Sequence, residues 1–247
     1  MPFSFLKRNR TVEGLTRFSP FTVDIHAHVL PGLDNGPETI DQSILLLQEM
    51  AAGGVRKVIA TPHIMGDYYR NTAEEIRQAL QRTRAELQRR GIALELEAAA
   101  EYYLDMSLIS NLENNQPLLA IANTYLLVET NIVGVPALLG EAIQLAQRRN
   151  LVLVLAHPVR YHFLQQNFDL VRGLQRQGFL FQINLGSWMS SHPGTRLLAE
   201  RLVSEGLVSF VGSNVHNVRE WGQAHDAVRS KIFAKSVEKG LLNQHLL

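Results

Sequence analysis

Apolar runs alternate with segments of helical period along the chain. The runs are Phe21–His26, Val55–His63, Ala93–Tyr103, Tyr125–Asn131, Leu151–His157, Phe179–Gly186 and Val208–His216. Several are continuously apolar, as in Leu151-Val152-Leu153-Val154-Leu155, the pattern of parallel strands buried on both faces. Between them, Ile40, Ile44, Leu47 and Ala51 share one helical face behind a Gly36-Pro37 start. Thr72-Ala73-Glu74-Glu75 reads as a capping box that opens a helix with Ile76, Leu80 and Leu87 inside. Leu138, Ala142, Leu145 and Ala146 line the next helix, Leu170 and Leu174 another, and Leu197, Leu198 and Leu202 one more. The tail from about Trp221 reads as a final helix.

Strands alternating with helices imply βαβ units and a parallel α/β sheet. The pattern leaves two closures open, a barrel and a doubly wound sheet. Either places a functional site at the C-terminal strand ends, in the loops that lead into the helices. No linker or repeat interrupts residues 19–247, which read as one domain behind a flexible segment over residues 1–18.

The chain has 247 residues, 46% of them hydrophobic, and a formal net charge of +1. It is long enough to bury a large core without staples. Near-neutral charge argues against a dedicated nucleic-acid binder. The absence of cysteine excludes disulfides, thiolate-bound zinc, iron–sulfur clusters and every thiolate nucleophile. It fits a cytoplasmic protein. The opening MPFSFLKRNR lacks the apolar core of a signal peptide. Leu151–Ala156, the longest aliphatic run, is far short of the ~20 residues that span a bilayer, so no membrane insertion is expected.

Chemistry changes this bland picture. His26 and His28 end the first run, His63 the second, Glu101 the third, Glu129 the fourth and His157 the fifth, and His216 follows the seventh. Titratable groups at the ends of buried strands are costly unless paired or metal-bound. Residues i and i+2 of a strand point the same way, so His26 and His28 can reach one ion. Five histidines and two glutamates are too many ligands for one ion and predict a cluster of two or three. Imidazole with carboxylate suits manganese, iron or zinc.

These residues together resemble the PHP (polymerase and histidinol phosphatase) superfamily and, more narrowly, the bacterial capsule-biosynthesis tyrosine-protein phosphatases. The landmarks are Asp24-Ile25-His26-Ala27-His28-Val29-Leu30-Pro31-Gly32, Ala60-Thr61-Pro62-His63, Glu97-Ala98-Ala99-Ala100-Glu101, Leu127-Val128-Glu129, Ala156-His157-Pro158 with Arg160, and Ser213-Asn214-Val215-His216. The resemblance implies a distorted (β/α)7 TIM-like barrel with a trinuclear site, most often of manganese or iron. It implies hydrolysis of protein phosphotyrosine by a metal-bound hydroxide, on the tails of tyrosine autokinases that control exopolysaccharide export. By motif, His26, His28, His63, Glu101, Glu129, His157 and His216 would be ligands, and Glu129 the bridge. Arg160 would take phosphate oxygens with its guanidinium fork.

Two positions depart from the family pattern. Asn35 stands in Asp34-Asn35-Gly36 and Asn214 in Asn214-Val215-His216, each where the family carries a ligand aspartate. An amide oxygen can coordinate but brings no charge, which predicts weaker metal binding and reduced turnover. A catalytically impaired protein that binds phosphotyrosyl segments is therefore the second reading. Other PHP phosphoesterases are a third. An amidohydrolase-like enzyme would need a bridging lysine at a strand end, and none is so placed. Asp24 and Asp34 lie close by in sequence without matching a ligand position. Tyr68, Tyr69, Tyr102, Tyr103, Tyr161 and Trp188 are candidates for an aromatic slot, with Tyr69 the one assigned to substrate. Arg70 and Arg219 sit on rim loops, and Arg219 is a candidate for phosphate. His162, His192, His225 and His245 are expected at the surface. The oligomeric state is not readable.

Overall fold

A computed structural model describes residues 21–247; the segment expected over residues 1–18 lies outside the described residues. Among the described residues there are nine strands: β1 (Val23–Ala27), β2 (Lys57–Ala60), β3 (His63–Ile64), β4 (Glu95–Ala98), β5 (Glu101–Tyr103), β6 (Tyr125–Glu129), β7 (Val152–Ala156), β8 (Leu180–Asn184) and β9 (Val208–Gly212). The helices are α1 (Ile40–Ala52), α2 (Ala73–Arg89), α3 (Met106–Glu113), α4 (Leu139–Arg148), α5 (His162–Gln166), α6 (Phe168–Arg176), α7 (Pro193–Ser204), α8 (Val218–Asp226) and α9 (Lys231–Glu238). All strand pairs are parallel, in one sheet of order β1-β2-β4 and another of order β3-β5-β6-β7-β8-β9.

The two sheets share their strands' continuations, which corrects two of the seven expected runs. Val55–His63 breaks at Thr61-Pro62 into β2 and β3, and Ala93–Tyr103 breaks at Ala99-Ala100 into β4 and β5. Proline has no N–H to give to the ladder, yet the hydrogen bonds run on across the break, Ala99 N–H to Ala60 O (2.8 Å) and Glu101 N–H to Pro62 O (3.1 Å). Seven staves therefore circle from β1 to β9. The closing seam is sewn by backbone at the C-terminal end, where Asn214 N–H donates to His26 O (2.7 Å) and His28 N–H to Val215 O (2.9 Å). Lower down, side chains close it. Asp24 accepts from Ser213 N–H (3.0 Å). Asn243, from the C-terminal tail, donates to Val23 O and Val211 O and accepts from Val211 N–H.

Inside the staves lie Val23, Ile25, Ile59, Leu127, Val154, Ala156 and Phe210, closed from below by Tyr125, Leu180, Leu242 and Leu246. A larger apolar layer packs the helices on the outside. The register between β1 and β2 shifts between Asp24 and Ala27, so the strand that buries Val23 and Ile25 inside also delivers His26 and His28 to the mouth. A bulge re-aims side chains in this way. Gly212 lets β1 approach: a Cβ there would lie 2.6 Å from His26 Cβ.

The helices follow their caps. The Thr39–Gln42 capping box starts α1 at Ile40, three residues later than the Gly36-Pro37 signal suggested. The Thr72–Glu75 box starts α2 as expected. Helix α3, with Asp105 as N-cap, was not anticipated. The single helix expected from Trp221 is two, each with its own cap, Asn217 for α8 and Ser230 for α9.

Candidate metal centre

The barrel's C-terminal mouth gathers all seven titratable ligand candidates. Glu101, fully buried, is the hub. Its Oε2 lies 3.1 Å from His26 Nε2, 3.4 Å from His28 Nε2 and 3.3 Å from His63 Nδ1, and its Oε1 lies 3.0 Å from His157 Nε2. Glu129 joins from the next stave, 3.0 Å from His63 Nδ1 and 3.8 Å from His157 Nε2. His216 stacks on His28 with ring centroids 4.3 Å apart. Three overlapping ligand triads result: His28, His63 and His216; His26, His28 and Glu101; His63, Glu101 and Glu129.

The donor set fits divalent cations on two observations. First, His28 Nε2 and His63 Nδ1 are buried beside carboxylates yet out of line for a hydrogen bond, and His157 Nδ1 also lacks a partner. Buried polar atoms are seldom left so. Second, three of the rings are anchored from behind. His28 Nδ1 is held by Asp34 Oδ2 (2.7 Å), His216 Nδ1 by Glu220 Oε2 (3.0 Å) and His26 Nδ1 by Gln182 Oε1 (2.9 Å). Each leaves Nε2 pointing inward. A ligand imidazole held through its other nitrogen by a carboxylate or amide oxygen is the usual outer arrangement of a metal site.

The electrostatics agree. Burial disfavours a charged His28, but Asp34 and Glu101 outweigh it and push its pKa up to about 10. Asp34 is likewise opposed by burial, yet His28 and the amides of Gly36 and His63 hold it at about 2. Burial and the charge of His28 bring His216 down to about 4. Burial also lowers His157. Glu101 is pulled well below the usual carboxylate range, because the histidines around it outweigh its desolvation. Asp24 runs the other way: burial raises it to about 6, and its Oδ2 has no partner.

The remaining candidates fall around this cluster. Arg160 is exposed on the short turn Pro158–Arg160 directly after His157, and forms no ion pair among the described residues. His157 itself sits at φ 35°, a left-handed backbone uncommon for a side-chain-bearing residue and typical of strained functional positions. Asn214, at φ 54°, is bonded through its N–H to His26 O. Asn35 is exposed, on the wall of a groove shared with His216 and Arg219. Tyr69 stacks on His63 with centroids 5.3 Å apart. Tyr102, Tyr161 and Trp188 are core residues, 2%, 0% and 3% exposed, so of the six aromatics only Tyr68, Tyr69 and Tyr103 can meet a ligand. His225 is not a free surface group: its ring stacks on Trp221 and its Nε2 meets Gly53 O.

Sequence reasoning missed Gln182 and Glu220. Gln182 stood out only as a polar residue inside an apolar strand, and Glu220 only as the third residue of a helix capped by Asn217. Asp34 helps from outside the ligand set, through His28.

Residues 22–240 match the family model described as capsular polysaccharide synthesis, CpsB/CapC. The chain is 30% identical to the tyrosine-protein phosphatase YwqE of Bacillus subtilis, over 80% of this chain and 78% of the relative. It is 27% identical to the putative tyrosine-protein phosphatase CapC of Staphylococcus aureus, over 79% and 77%. A crystal structure from work on YwqE and on CpsB of Streptococcus pneumoniae, described as unique metal-dependent tyrosine phosphatases, superposes with TM-score 0.77 and 27% identity, covering 90% of this chain and 94% of that one. A histidinol phosphate phosphatase of Lactococcus lactis shares the fold, with TM-score 0.53 at 14% identity over 90% and 94%.

Proposed function

The chain belongs to the CpsB/CapC family of capsular polysaccharide synthesis proteins, and from that premise we propose that it is a metal-dependent tyrosine-protein phosphatase. The observation that carries the proposal is the gathering of four imidazoles on buried Glu101, three rings in the cluster being anchored from behind. His26, His28, His63, Glu101, Glu129, His157 and His216 would hold two or three divalent ions. Manganese or iron is the finer reading, with zinc as the alternative. Asn35 and Asn214 would contribute at most an amide oxygen each.

Bound ions would neutralise phosphoryl oxygens and acidify water at neutral pH. The chain's own residues do the rest. Glu101, His26 and His28 have fully buried side chains, whereas those of His63, Glu129 and His216 are 13%, 14% and 18% exposed. A phosphate entering from the mouth meets the second group first. Arg160, exposed beside His157, presents its fork to two phosphate oxygens. Tyr69 offers a ring face next to His63 for the phenyl ring, and Arg219 a cation on the far wall. The leaving phenolate has a pKa of ~10 and needs little general-acid help.

The names of the relatives support phosphotyrosine as the substrate. The finer assignment, to the tail of a bacterial tyrosine autokinase in the cytoplasm, rests on the family resemblance. No described helix is long and apolar enough to cross a membrane. The amide at Asn214 favours one second reading, a protein that binds phosphotyrosyl segments with little turnover.

Hydrolysis of free phosphotyrosine before and after chelation and reloading tests the proposal. Turnover that disappears with EDTA, returns with manganese, and drops in Glu101→Gln by more than the ~10–100-fold an outer partner costs is the expected result. Chelator-resistant turnover would overturn it. Binding without turnover would select the second reading.

A further inference from the structure

Strand β8 carries two amides on the face it turns into the barrel. Leu180, Gln182 and Asn184 alternate along that face. Leu180 helps to close the apolar interior from below, and Gln182, two residues higher, is completely buried. Phe181 and Ile183 belong to the outer apolar layer. A buried amide costs free energy unless its polar atoms are met, and both bonds to the oxygen of Gln182 come from candidate metal ligands.

Oε1 of Gln182 accepts from the backbone N–H of His157 (3.3 Å) and meets Nδ1 of His26 (2.9 Å). Its Nε2 donates to Asn184 Oδ1 (3.1 Å). The orientation is forced. A backbone N–H can only donate, so the end of the amide that faces His157 must be the oxygen. That oxygen has no proton to give, so the Nδ1 of His26 that faces it must hold one. This leaves Nε2 of His26, 3.1 Å from Glu101 Oε2, as the nitrogen that can ligate. The same amide oxygen tethers His157 at its left-handed backbone, φ 35°. The Nε2 of His157 lies 3.0 Å from the other oxygen of Glu101, Oε1. Gly212 makes the room: a Cβ there would lie 2.6 Å from His26 Cβ and 3.0 Å from Gln182 Nε2. One oxygen of Asp34 makes the same pair of contacts, to the ring of His28 (2.7 Å) and the N–H of His63 (3.0 Å), but with a charge that Gln182 lacks.

We propose that Gln182 is a positioning residue of the metal centre: its amide oxygen fixes the Nδ1–H tautomer of His26 on β1 and holds the backbone of His157 after β7, and so sets two imidazoles against the two oxygens of Glu101. The role rests on the metal-dependent reading and deepens it, whereas the proton on Nδ1 can be read without metal.

Two substitutions of similar size separate holding from packing. Gln182→Met keeps the volume and loses the acceptor. Gln182→Glu keeps an acceptor for both histidines and adds a charge. Manganese affinity, measured by titration calorimetry, should fall about 10–100-fold in Gln182→Met and stay at or above the wild-type value in Gln182→Glu. A residue that only filled space would give the reverse order, because a buried carboxylate costs more than a buried thioether. Urea unfolding of the metal-free variants checks that both are folded. Nitrogen-15 spectra of histidine-labelled protein read the tautomer, with His26 assigned by its absence from His26→Gln. Nδ1 of His26 should carry a proton in the metal-free and the zinc-loaded protein. A bare Nδ1 in either state, or a manganese affinity in Gln182→Met that equals the wild type or exceeds that of Gln182→Glu, would overturn the assignment. A wild-type protein that takes up no manganese, iron or zinc would overturn the metal reading instead, while the proton on Nδ1 still decides what Gln182 holds.

Discussion

The two ends of the barrel are built on opposite terms. At the base, polar groups are few and satisfied: Asn243, 5% exposed, uses its amide three times to bridge β1 and β9 over a plug of Leu242 and Leu246. At the mouth, polar groups are many and several lack partners. The base invests in burial and complete hydrogen bonding, which stabilise the fold. The mouth keeps buried charge and open valences, which cost stability and serve a ligand. Barrel enzymes divide their ends in this way, and here the division runs along single strands, since β1 carries Val23 at one end and His26 at the other.

The strongest way to break the comparison is to damage each end and read both outcomes. Phe210 lies inside the staves in edge-to-face contact with Tyr125, centroids 5.1 Å apart. Phe210→Ala should cost about 3–5 kcal/mol of stability in urea unfolding, while the folded protein keeps its full metal content by elemental analysis. Glu101→Gln should empty the centre and cost the metal-free protein less than Phe210→Ala does, because Asp34 still pairs with the His28 cation. If the two substitutions lowered metal-free stability equally, the division would be wrong.

How much of this was readable in the sequence follows the same line. Parallel barrel strands advertise themselves as apolar runs, so the seven staves and the candidate ligand histidines at their ends stood out. The breaks at Thr61-Pro62 and Ala99-Ala100 did not, because hydrogen bonding and apolar character continue through them. Helix α3 was hidden by its length of 8 residues, too short to establish a period. Gln182, Glu220 and Asn243 have unremarkable local settings. What distinguishes each is a partner distant along the chain or a ring nitrogen one helical turn away, and such contacts leave no local pattern.

A finer test isolates the ring of supports at the mouth. Glu220 accepts from both the backbone N–H and Nδ1 of His216. Glu220→Gln keeps an acceptor but removes the charge that fixes the tautomer, so metal affinity should fall about 10–100-fold. Metal-free stability should stay within about 0.5 kcal/mol, as for a surface position. Titration with manganese, set beside urea unfolding, measures both. An unchanged affinity would mean that His216 is held by packing against His28 alone.

The smallest effect is also the most diagnostic, because it reads protons rather than folding. Ligation requires a neutral imidazole. In the metal-free centre, His28 retains its proton up to a pKa of about 10, whereas His216, at about 4, and Asp34, at about 2, have already lost theirs at neutral pH. Binding between about pH 7 and 9 must therefore expel a proton from His28, and affinity should rise about tenfold per pH unit. His216 and Asp34 add no slope in that window, and Asp24, at about 6, enters only at its acid edge. Calorimetry with manganese in buffers of different ionisation enthalpy should count about one proton released at pH 7.5. Asp34→Asn removes the carboxylate that holds the His28 cation, so it should lower the count and flatten the slope. A wild-type count of zero would show that the metal-free mouth is already neutral at His28, and that its buried carboxylates are held by something other than the imidazolium beside them.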